Sequence, residues 1–197
     1  MSSESIEGAQ ISLGPLRGET KILVDIQSVL TGKPGALSAA RGLSHFGEHS
    51  LGWLGLAAVG GAIAHARGDR PKRDMWIAAC VAAFCAHAAS VIIKRVVRRR
   101  RPNDPRVKVG VGTPSKLSFP SSHATSTTAA AILLGRAAGL PVAALPAVIV
   151  PPMLLSRLVL GVHYPTDVIG GALIGATCAA VMTTGERLIR TENRGVQ

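Results

Sequence analysis

The stretch MWIAACVAAFCAHAASVII, residues 75–93, contains 19 consecutive residues without a Lys, Arg, Asp or Glu. A helix needs about 20 apolar residues to cross the hydrocarbon core of a bilayer, so this stretch predicts a membrane-spanning helix. Similar uncharged runs occur at residues 51–66, 117–135, 137–155 and 168–185. Five such runs in a chain of 197 residues leave too little protein to cover them, so lipid must do so.

The predicted fold is therefore an all-α integral membrane bundle of about five transmembrane helices, at residues 50–66, 74–93, 122–139, 142–159 and 167–185. Residues 20–31 and 36–46 mix apolar side chains with charges, which is typical of short interfacial helices. These patterns divide the chain into four parts: a flexible N-terminus (1–18), interfacial helices (19–49), a membrane domain (50–186) and a polar C-terminal tail (187–197).

The charge balance favours an anionic partner. Lys and Arg number 22 against 11 Asp and Glu, yet only 17% of residues are charged. Soluble proteins carry about 25%, so the composition argues against an ordinary water-soluble enzyme. Nucleic acid, acidic lipid headgroups and a phosphorylated substrate would each suit a basic chain. Nucleic acid is disfavoured because the run RRRR, residues 98–101, adjoins a predicted span and lacks aromatic stacking partners.

Two polar segments flank the predicted helices with side chains suited to an anion. Lys94-x6-Arg101-Pro102 follows the span at 74–93, and Pro102 predicts the end of that helix. Residues 120–123, PSSH, precede the next helix and offer hydroxyls and free backbone N–H groups. Taken alone, the first segment equally fits a cation cluster that binds lipid headgroups, and the second an ordinary N-cap.

A third segment, Ser156-Arg157-x5-His163-x3-Asp167, combines an arginine with a histidine and a carboxylate. His163 and Asp167 are four residues apart, so the spacing predicts that they share a helical face. A carboxylate on one imidazole nitrogen fixes the tautomer and leaves the other nitrogen free to attack a substrate. A capping Asp beside an interfacial His remains the alternative for this segment alone.

In this order, the three segments resemble the three-part signature of the type 2 phosphatidic acid phosphatase (PAP2) superfamily, which contains membrane lipid phosphatases and vanadium haloperoxidases. The resemblance spans residues 94–167 and, with its helices, about 50–185, so the membrane domain resembles a PAP2-type phosphatase domain. The family's second motif usually reads Pro-Ser-Gly-His, and Ser122 replaces the glycine here. If this position needed a positive φ, serine would cost about 1 kcal/mol.

The resemblance implies a role for each residue of the signature. His163 takes the phosphoryl group as phosphohistidine, Asp167 orients it, and His123 protonates the leaving oxygen. The implied phosphate-binding set comprises Lys94, Arg101, Ser121, Ser122 and Arg157. Three cations can supply the charge stabilisation that metal ions supply in other phosphoryl-transfer enzymes. The resemblance therefore implies no metal and no other cofactor.

Segments 45–53, 86–102 and 111–131 also resemble the actinobacterial branch of this superfamily. That likeness implies a lipid-linked phosphomonoester as substrate, a decaprenyl phosphoribose used to make the arabinose donor of the cell wall. Undecaprenyl pyrophosphate, phosphatidylglycerol phosphate and phosphatidic acid remain alternative substrates. A vanadate-dependent peroxidase and a non-catalytic lipid-binding membrane protein are alternatives of another class, although the apolar runs disfavour the peroxidase because those relatives are soluble.

The segment His45-Phe46-Gly47-Glu48-His49 also matches the inverted zinc-protease pattern His-x-x-Glu-His. Such a site needs a third ligand, and Gly47 weakens the helix that the pattern requires. A second interpretation is that a pocket for the substrate headgroup is lined by His45, Glu48 and His49. A third is that these residues cap the helix that follows.

The expected location is the bacterial cytoplasmic membrane. With five spans, residues 1–49, 94–121 and 157–166 share one side, which carries 14 Lys and Arg against 8 on the other. Without the three signature cations the comparison is 11 against 8, and the positive-inside rule favours a cytoplasmic active site. The polar N-terminus, which lacks a signal-peptide pattern, agrees with this orientation.

Overall fold

The computed structural model describes residues 14–195, with side chains through Leu188. Within that range it is all-helical, and its only strand-like pairing is an isolated bridge between Arg100 and Leu117, so the predicted all-α class is confirmed. Most of the predicted flexible N-terminus (1–13) and the last two residues of the predicted tail lie outside the described residues. The helices are α1 (Gly18–Leu30), α2 (Ala36–Phe46), α3 (Leu51–Ala66), α4 (Arg70–Val97), α5 (Ser122–Ala137), α6 (Ala144–Val159) and α7 (Pro165–Gly195), with a 3-10 turn at Glu48–Ser50.

The prediction that Pro102 ends α4 was wrong, because the helix ends at Val97. Arg98 adopts a left-handed conformation (φ 54°), and its N–H donates to Lys94 O at 3.0 Å. Residues 99–101 then pair with residues 116–118 through two backbone hydrogen bonds of 2.7 and 3.2 Å. This pairing satisfies the backbone outside the helix and returns the chain toward α5.

Helix α5 lies at the centre of the bundle and packs against α4, α6 and α7. Its Ala, Ser and Thr side chains are buried almost throughout, which lets neighbouring helices approach closely. The adjoining core is rich in alanine around Trp53 and Met153, and Trp53 Nε1 donates to Thr127 Oγ1 at 3.0 Å. The polar side chains of this central helix therefore face protein on all sides.

Within the part of the chain that the structure describes, two helices are long and apolar enough to cross a membrane, over Arg70–Val97 and Pro165–Leu188. Helix α6 is apolar but shorter. Large apolar side chains on the outer faces of α4 and α7 are exposed, for example Phe84, Ile92, Leu173 and Val181. An apolar exterior around a polar central helix is the arrangement expected of a bundle surrounded by lipid.

The two N-terminal helices, which the residues at 32–35 separate as expected, pack against the end of the bundle that holds the long 98–121 loop. The buried Gln27 of α1 makes this connection. Its Nε2 donates to Lys108 O (2.7 Å) and Val159 O (3.0 Å), and its Oε1 accepts from Lys108 N (2.9 Å). One fully bonded amide thus joins α1, the loop and the end of α6.

Candidate active site

The three predicted segments meet at one end of the bundle. Because α4 to α7 alternate in direction, the last turns of α4 and α6 lie beside the first turns of α5 and α7. Together they surround a cavity of about 410 Å³. Eight of the predicted site residues line it: Glu48, His49, Lys94, Arg101, Ser122, His123, Arg157 and His163.

His163 is buried, and its two ring nitrogens have different neighbours. Arg101 Nη1 lies 3.2 Å from Nε2, and a guanidinium only donates, so Nε2 is the acceptor and Nδ1 carries the proton. Burial, and then the charges of Arg101 and Arg157, hold the pKa of His163 well below its ordinary value. The imidazole is therefore neutral, and its unprotonated Nε2, which accepts from Arg101, lies at the cavity.

Asp167 lies behind His163, with Oδ2 3.7 Å from Nδ1. The prediction that the two residues share a helical face was wrong, because His163 lies in the turn before α7 and only Asp167 is helical. Tyr164 N donates to Asp167 Oδ2 at 2.8 Å and holds the carboxylate beneath the imidazole. At 3.7 Å the contact is electrostatic, and a shift of less than 1 Å would make it a hydrogen bond.

The three predicted cations are held in different ways. Arg101 donates to Ser115 O (2.8 Å) and Val162 O (2.6 Å), and burial lowers its pKa to about 10, so it stays charged at neutral pH. Arg157 donates to Ser44 Oγ at 2.7 Å, while its Nε is buried without a partner among the described residues.

Lys94 lines the cavity and also forms hydrogen bonds with the loop. Its Nζ donates to Pro120 O at 2.8 Å and to Ser118 O and Leu117 O at 3.3 Å each. These bonds draw the loop over the end of α4. The ammonium therefore anchors the segment that carries PSSH while contributing positive charge to the cavity.

His123 is oriented by a backbone carbonyl. Its Nε2 lies 2.9 Å from Ser44 O, which can only accept, so Nε2 carries a proton and Nδ1 is the nitrogen left for a substrate. The approach depends on Gly47, where a Cβ would lie 2.9 Å from His123 Cδ2. The ring edge with Cδ2 and Nε2 thus faces the end of α2, and the Nδ1 edge faces away from it.

The two serines of the second segment differ in position. Ser121 is fully buried outside the cavity lining, where its Oγ accepts from Ala124 N at 3.4 Å and its N–H donates to Asp167 O at 3.0 Å. It therefore caps α5 and joins it to α7. Ser122 lines the cavity as the first residue of α5 and has an ordinary negative φ, so replacing the family's glycine causes no left-handed strain.

The segment from His45 to His49 divides between the cavity and the surface. Glu48 and His49 line the cavity, whereas the His45 side chain is 75% exposed and outside the lining. Helix α2 ends at Phe46 and His49 is left-handed (φ 49°), so the single helix that the zinc-protease pattern requires is not formed. Within the described residues, no group of three His, Cys, Asp or Glu side chains is placed to hold a metal.

Arg99, Glu19 and His87 lie near the site and were not predicted from the sequence. Arg99 Nη1 donates to Asp167 Oδ1 at 2.9 Å, and its other nitrogen pairs with Glu19 of α1. Although burial opposes it, the bond to Glu19 and the charge of Asp167 raise the pKa of Arg99. His87 of α4 lines the cavity. Arg99 stands among four arginines and Glu19 lies far away in sequence, so no local signal marked either residue.

An all-helical bundle with apolar outer faces thus has a cavity at its end where buried cations surround an unprotonated histidine nitrogen, an arrangement suited to a phosphoryl group. The chain belongs to the PAP2 superfamily, whose family model matches residues 75–189. It is therefore a phosphoric monoester hydrolase of the PAP2 type.

The relatives agree with this assignment. The chain is 58% identical over 166 residues to a Mycobacterium tuberculosis protein named decaprenylphosphoryl-5-phosphoribose phosphatase, covering 84% of this chain and 89% of the relative. It is 61% identical over 155 residues to the Mycolicibacterium smegmatis protein of the same name, covering 79% and 82%.

Two solved structures share the fold. The PAP2 type phosphatidylglycerolphosphate phosphatase from Bacillus subtilis has a TM-score of 0.68 at 22% identity, covering 86% of each chain. Aquifex aeolicus LpxE has a TM-score of 0.64 at 20% identity, covering 86% of this chain and 97% of that one.

Proposed function

We propose that this enzyme removes the 5-phosphate from decaprenylphosphoryl-5-phosphoribose and leaves decaprenylphosphoryl ribose, a step toward the precursors of cell-wall arabinan. The observation that carries the proposal is the identity of 58–61%, over about four fifths of the chain, to relatives named for this reaction. The cavity supports it, because it gathers cations and two histidines at the end of a membrane bundle.

In the proposed reaction His163 Nε2 attacks phosphorus. A P–N bond forms, the ester P–O bond breaks, and His123 delivers a proton from Nδ1 to the leaving ribose oxygen. Because Nε2 of His123 already holds a proton against Ser44 O, His123 acts as the imidazolium, a form that a bound phosphate dianion favours. Water then attacks the phosphohistidine, its proton returns to His123, the P–N bond breaks, and inorganic phosphate leaves.

The cations stabilise the charge of the transferring group. Arg101 and Arg157 line the cavity beside His163, and Arg157 Nε has no partner among the described residues that would compete with phosphate. Lys94 adds charge from the loop, and Ser122 begins α5, where free N–H groups suit an anion. Ser121 acts in this proposal as the cap that positions α5.

We place five helices across the bacterial cytoplasmic membrane, α3 to α7, with α1 and α2 at its surface. Helices of 16 residues such as α3, α5 and α6 reach about 24 Å, so flanking turns complete the crossing of about 30 Å. The membrane domain then covers residues 50–186. The excess of positive charge at the active-site end supports a cytoplasmic orientation of that end, on the side where a phosphoribose donor is available.

A phosphate-release assay on purified protein tests the proposed function. The substrates are the phosphoribosyl lipid, undecaprenyl pyrophosphate, phosphatidylglycerol phosphate and phosphatidic acid, each assayed with wild type and with His163→Ala. We expect the highest kcat/KM on the phosphoribosyl lipid. A higher value on another lipid would replace the proposed substrate, and peroxidase activity with vanadate but no phosphate release would replace the class.

A further inference from the structure

Part of the active-site cavity takes no role in the proposed reaction. Lys94, Arg157 and His163 form its buried floor, whereas three residues from two separate elements form a more exposed side. We define this side, made of Glu48, His49 and His87, as the mouth wall. Glu48 and His49 belong to the 3-10 turn and His87 to α4, so folding alone brings them together.

The mouth wall has hydrogen-bonding capacity that the protein does not use. The rings of His49 and His87 lie 5.9 Å apart between centroids, and His87 Nδ1 is buried without a partner among the described residues. Among the described residues, the Glu48 carboxylate has one ion-pair contact within 4 Å, at 3.9 Å to the exposed His45. A polar group unpaired within an apolar helix is costly, which points to a ligand that pairs with it.

We propose that the mouth wall is a subsite for the vicinal hydroxyls of a pentose whose phosphate occupies the cationic floor. This inference rests on the proposed function and names the part of the protein that recognises the sugar. A carboxylate that accepts from ribose hydroxyls is a common mode of ribose recognition, and imidazole nitrogens donate or accept as needed. The cavity of about 410 Å³ lies within the range of roughly 300–1,000 Å³ for small-molecule sites.

Binding of soluble ligands to the purified full chain in detergent tests this subsite. The ligands are ribose 5-phosphate, 2-deoxyribose 5-phosphate and inorganic phosphate, measured by calorimetry in a His163→Ala background that prevents turnover. We expect ribose 5-phosphate to bind about tenfold more tightly than phosphate, and its 2-deoxy analogue to lose most of that advantage.

Substitutions in the mouth wall should weaken binding of the sugar without weakening binding of phosphate. Glu48→Gln and His87→Ala are expected to bring the Kd of ribose 5-phosphate to within about twofold of that of phosphate, whereas His45→Ala, outside the cavity, preserves the tenfold ratio. Retained phosphate binding shows that each variant is folded. Equal binding of ribose 5-phosphate and phosphate before substitution, or an advantage that survives both substitutions, would overturn the subsite. Failure of the proposed function would appear separately, as no hydrolysis of the phosphoribosyl lipid.

A network of ion pairs and hydrogen bonds lies behind Asp167, outside the cavity. Arg99 Nη1 donates to Asp167 Oδ1 (2.9 Å) and to Thr166 Oγ1 (2.6 Å), and its guanidinium covers the Tyr164 ring at 4.3 Å. Glu19 pairs with Arg99 and accepts from both Thr166 N (2.9 Å) and Thr166 Oγ1 (2.7 Å). We infer that Arg99 and Glu19 are positioning residues that hold Asp167 Oδ2 beneath His163.

This inference gives α1 a part in catalysis, although Glu19 lies outside the residues that the family model matches. We expect Arg99→Ala and Glu19→Gln to lower kcat about ten- to hundredfold with KM changed less than about twofold, because the imidazole is misplaced while the phosphate site is intact. Formation of labelled phosphohistidine should slow in parallel. Arg99→Lys should recover part of kcat, and Arg100→Ala, an exposed neighbour, is the matched control. Unchanged kcat in Arg99→Ala, or a loss seen only as a raised KM, would contradict the assignment.

Discussion

At the residue scale, one hydrogen-bond partner decides the role of each active-site histidine. Arg101 can only donate, so it keeps Nε2 of His163 unprotonated, whereas Ser44 O can only accept, so it keeps a proton on His123 Nε2 and leaves Nδ1 unprotonated. The two imidazoles therefore differ in which nitrogen is unprotonated, Nε2 in His163 and Nδ1 in His123, and in the proposed reaction His123 donates from Nδ1 only after that nitrogen has taken a proton. Their partners, rather than their sequence neighbours, make this distinction.

His163→Ala is predicted to lower phosphate release at least about a thousandfold, because His163 is the cavity histidine that Asp167 and Arg101 both contact. Asp167→Asn should retain more activity, since the nucleophile remains but loses its orienting charge. Rapid mixing of wild type with labelled substrate should leave acid-labile, base-stable phosphate on the protein. His65→Ala, at the other end of α3, is the control. Full activity in His163→Ala would refute the role of this histidine.

Phosphate release is predicted to persist in EDTA, and orthovanadate is predicted to inhibit competitively. The reason is that Lys94, Arg101 and Arg157 supply the positive charge that the transferring phosphoryl group needs, and vanadate resembles its five-coordinate transition state. Initial rates with and without chelator, at several vanadate concentrations, measure both effects. Activity lost in EDTA and restored by zinc or magnesium would contradict the mechanism.

At the element scale, glycines of α7 set the distance between the two helices that carry His123 and Asp167. A Cβ at Gly171 would lie 2.7 Å from Ser121 O, and one at Gly175 would overlap Thr125 O. The obstacles are backbone atoms of α5, which cannot move like the end of a side chain. This spacing, small-xxx-small, brings the first turns of both helices to the same cavity.

Gly175→Ala is therefore predicted to destabilise the protein, although alanine is the better helix former by about 1 kcal/mol. The clash with Thr125 O should cost about 1–3 kcal/mol and separate α5 from α7, which would also lower kcat. Gly185→Ala is the matched control on the same helix, because a Cβ there meets nothing within 4 Å. Thermal unfolding in detergent distinguishes them; equal midpoints for the two variants would show that close packing at Gly175 is dispensable.

At the scale of the whole molecule, the active site lies at one end of the bundle, and the short connection between α3 and α4 lies at the other. Helix α4 joins the two ends over 28 residues, or about 42 Å. The orientation of this one helix therefore decides which compartment supplies the substrate and receives the phosphate.

The cytoplasmic orientation predicts opposite labelling of two single cysteines, in a background lacking Cys80, Cys85 and Cys178. Gly112→Cys lies on the exposed loop at the active-site end, and Lys72→Cys lies at the opposite end of α4. A membrane-impermeant maleimide should label Lys72→Cys in intact cells and Gly112→Cys only after permeabilisation. The reverse pattern would place the active site outside, and labelling of both in intact cells would refute a crossing by α4.

Sequence alone predicts the helical class and eight of the residues that line the cavity. Uncharged runs predict helices because apolar periodicity and length are local properties, whereas the shared helical face expected from His163-x3-Asp167 was wrong because His163 lies in the turn before α7. The sequence shows that Ser122 departs from the family pattern. Only the structure shows that its φ is negative, so the serine causes no left-handed strain.

Only the tertiary structure decided which neighbours act on those residues. Arg99 and Glu19 are 80 residues apart, and His49 meets His87 across two elements, so no local pattern contains either pair. The end of α4 at Val97 likewise depends on the pairing of residues 99–101 with residues 116–118, which lie much later in the sequence. Tautomers, positioning contacts and the mouth wall are properties of long-range contacts, and these form only once the buried helices have packed.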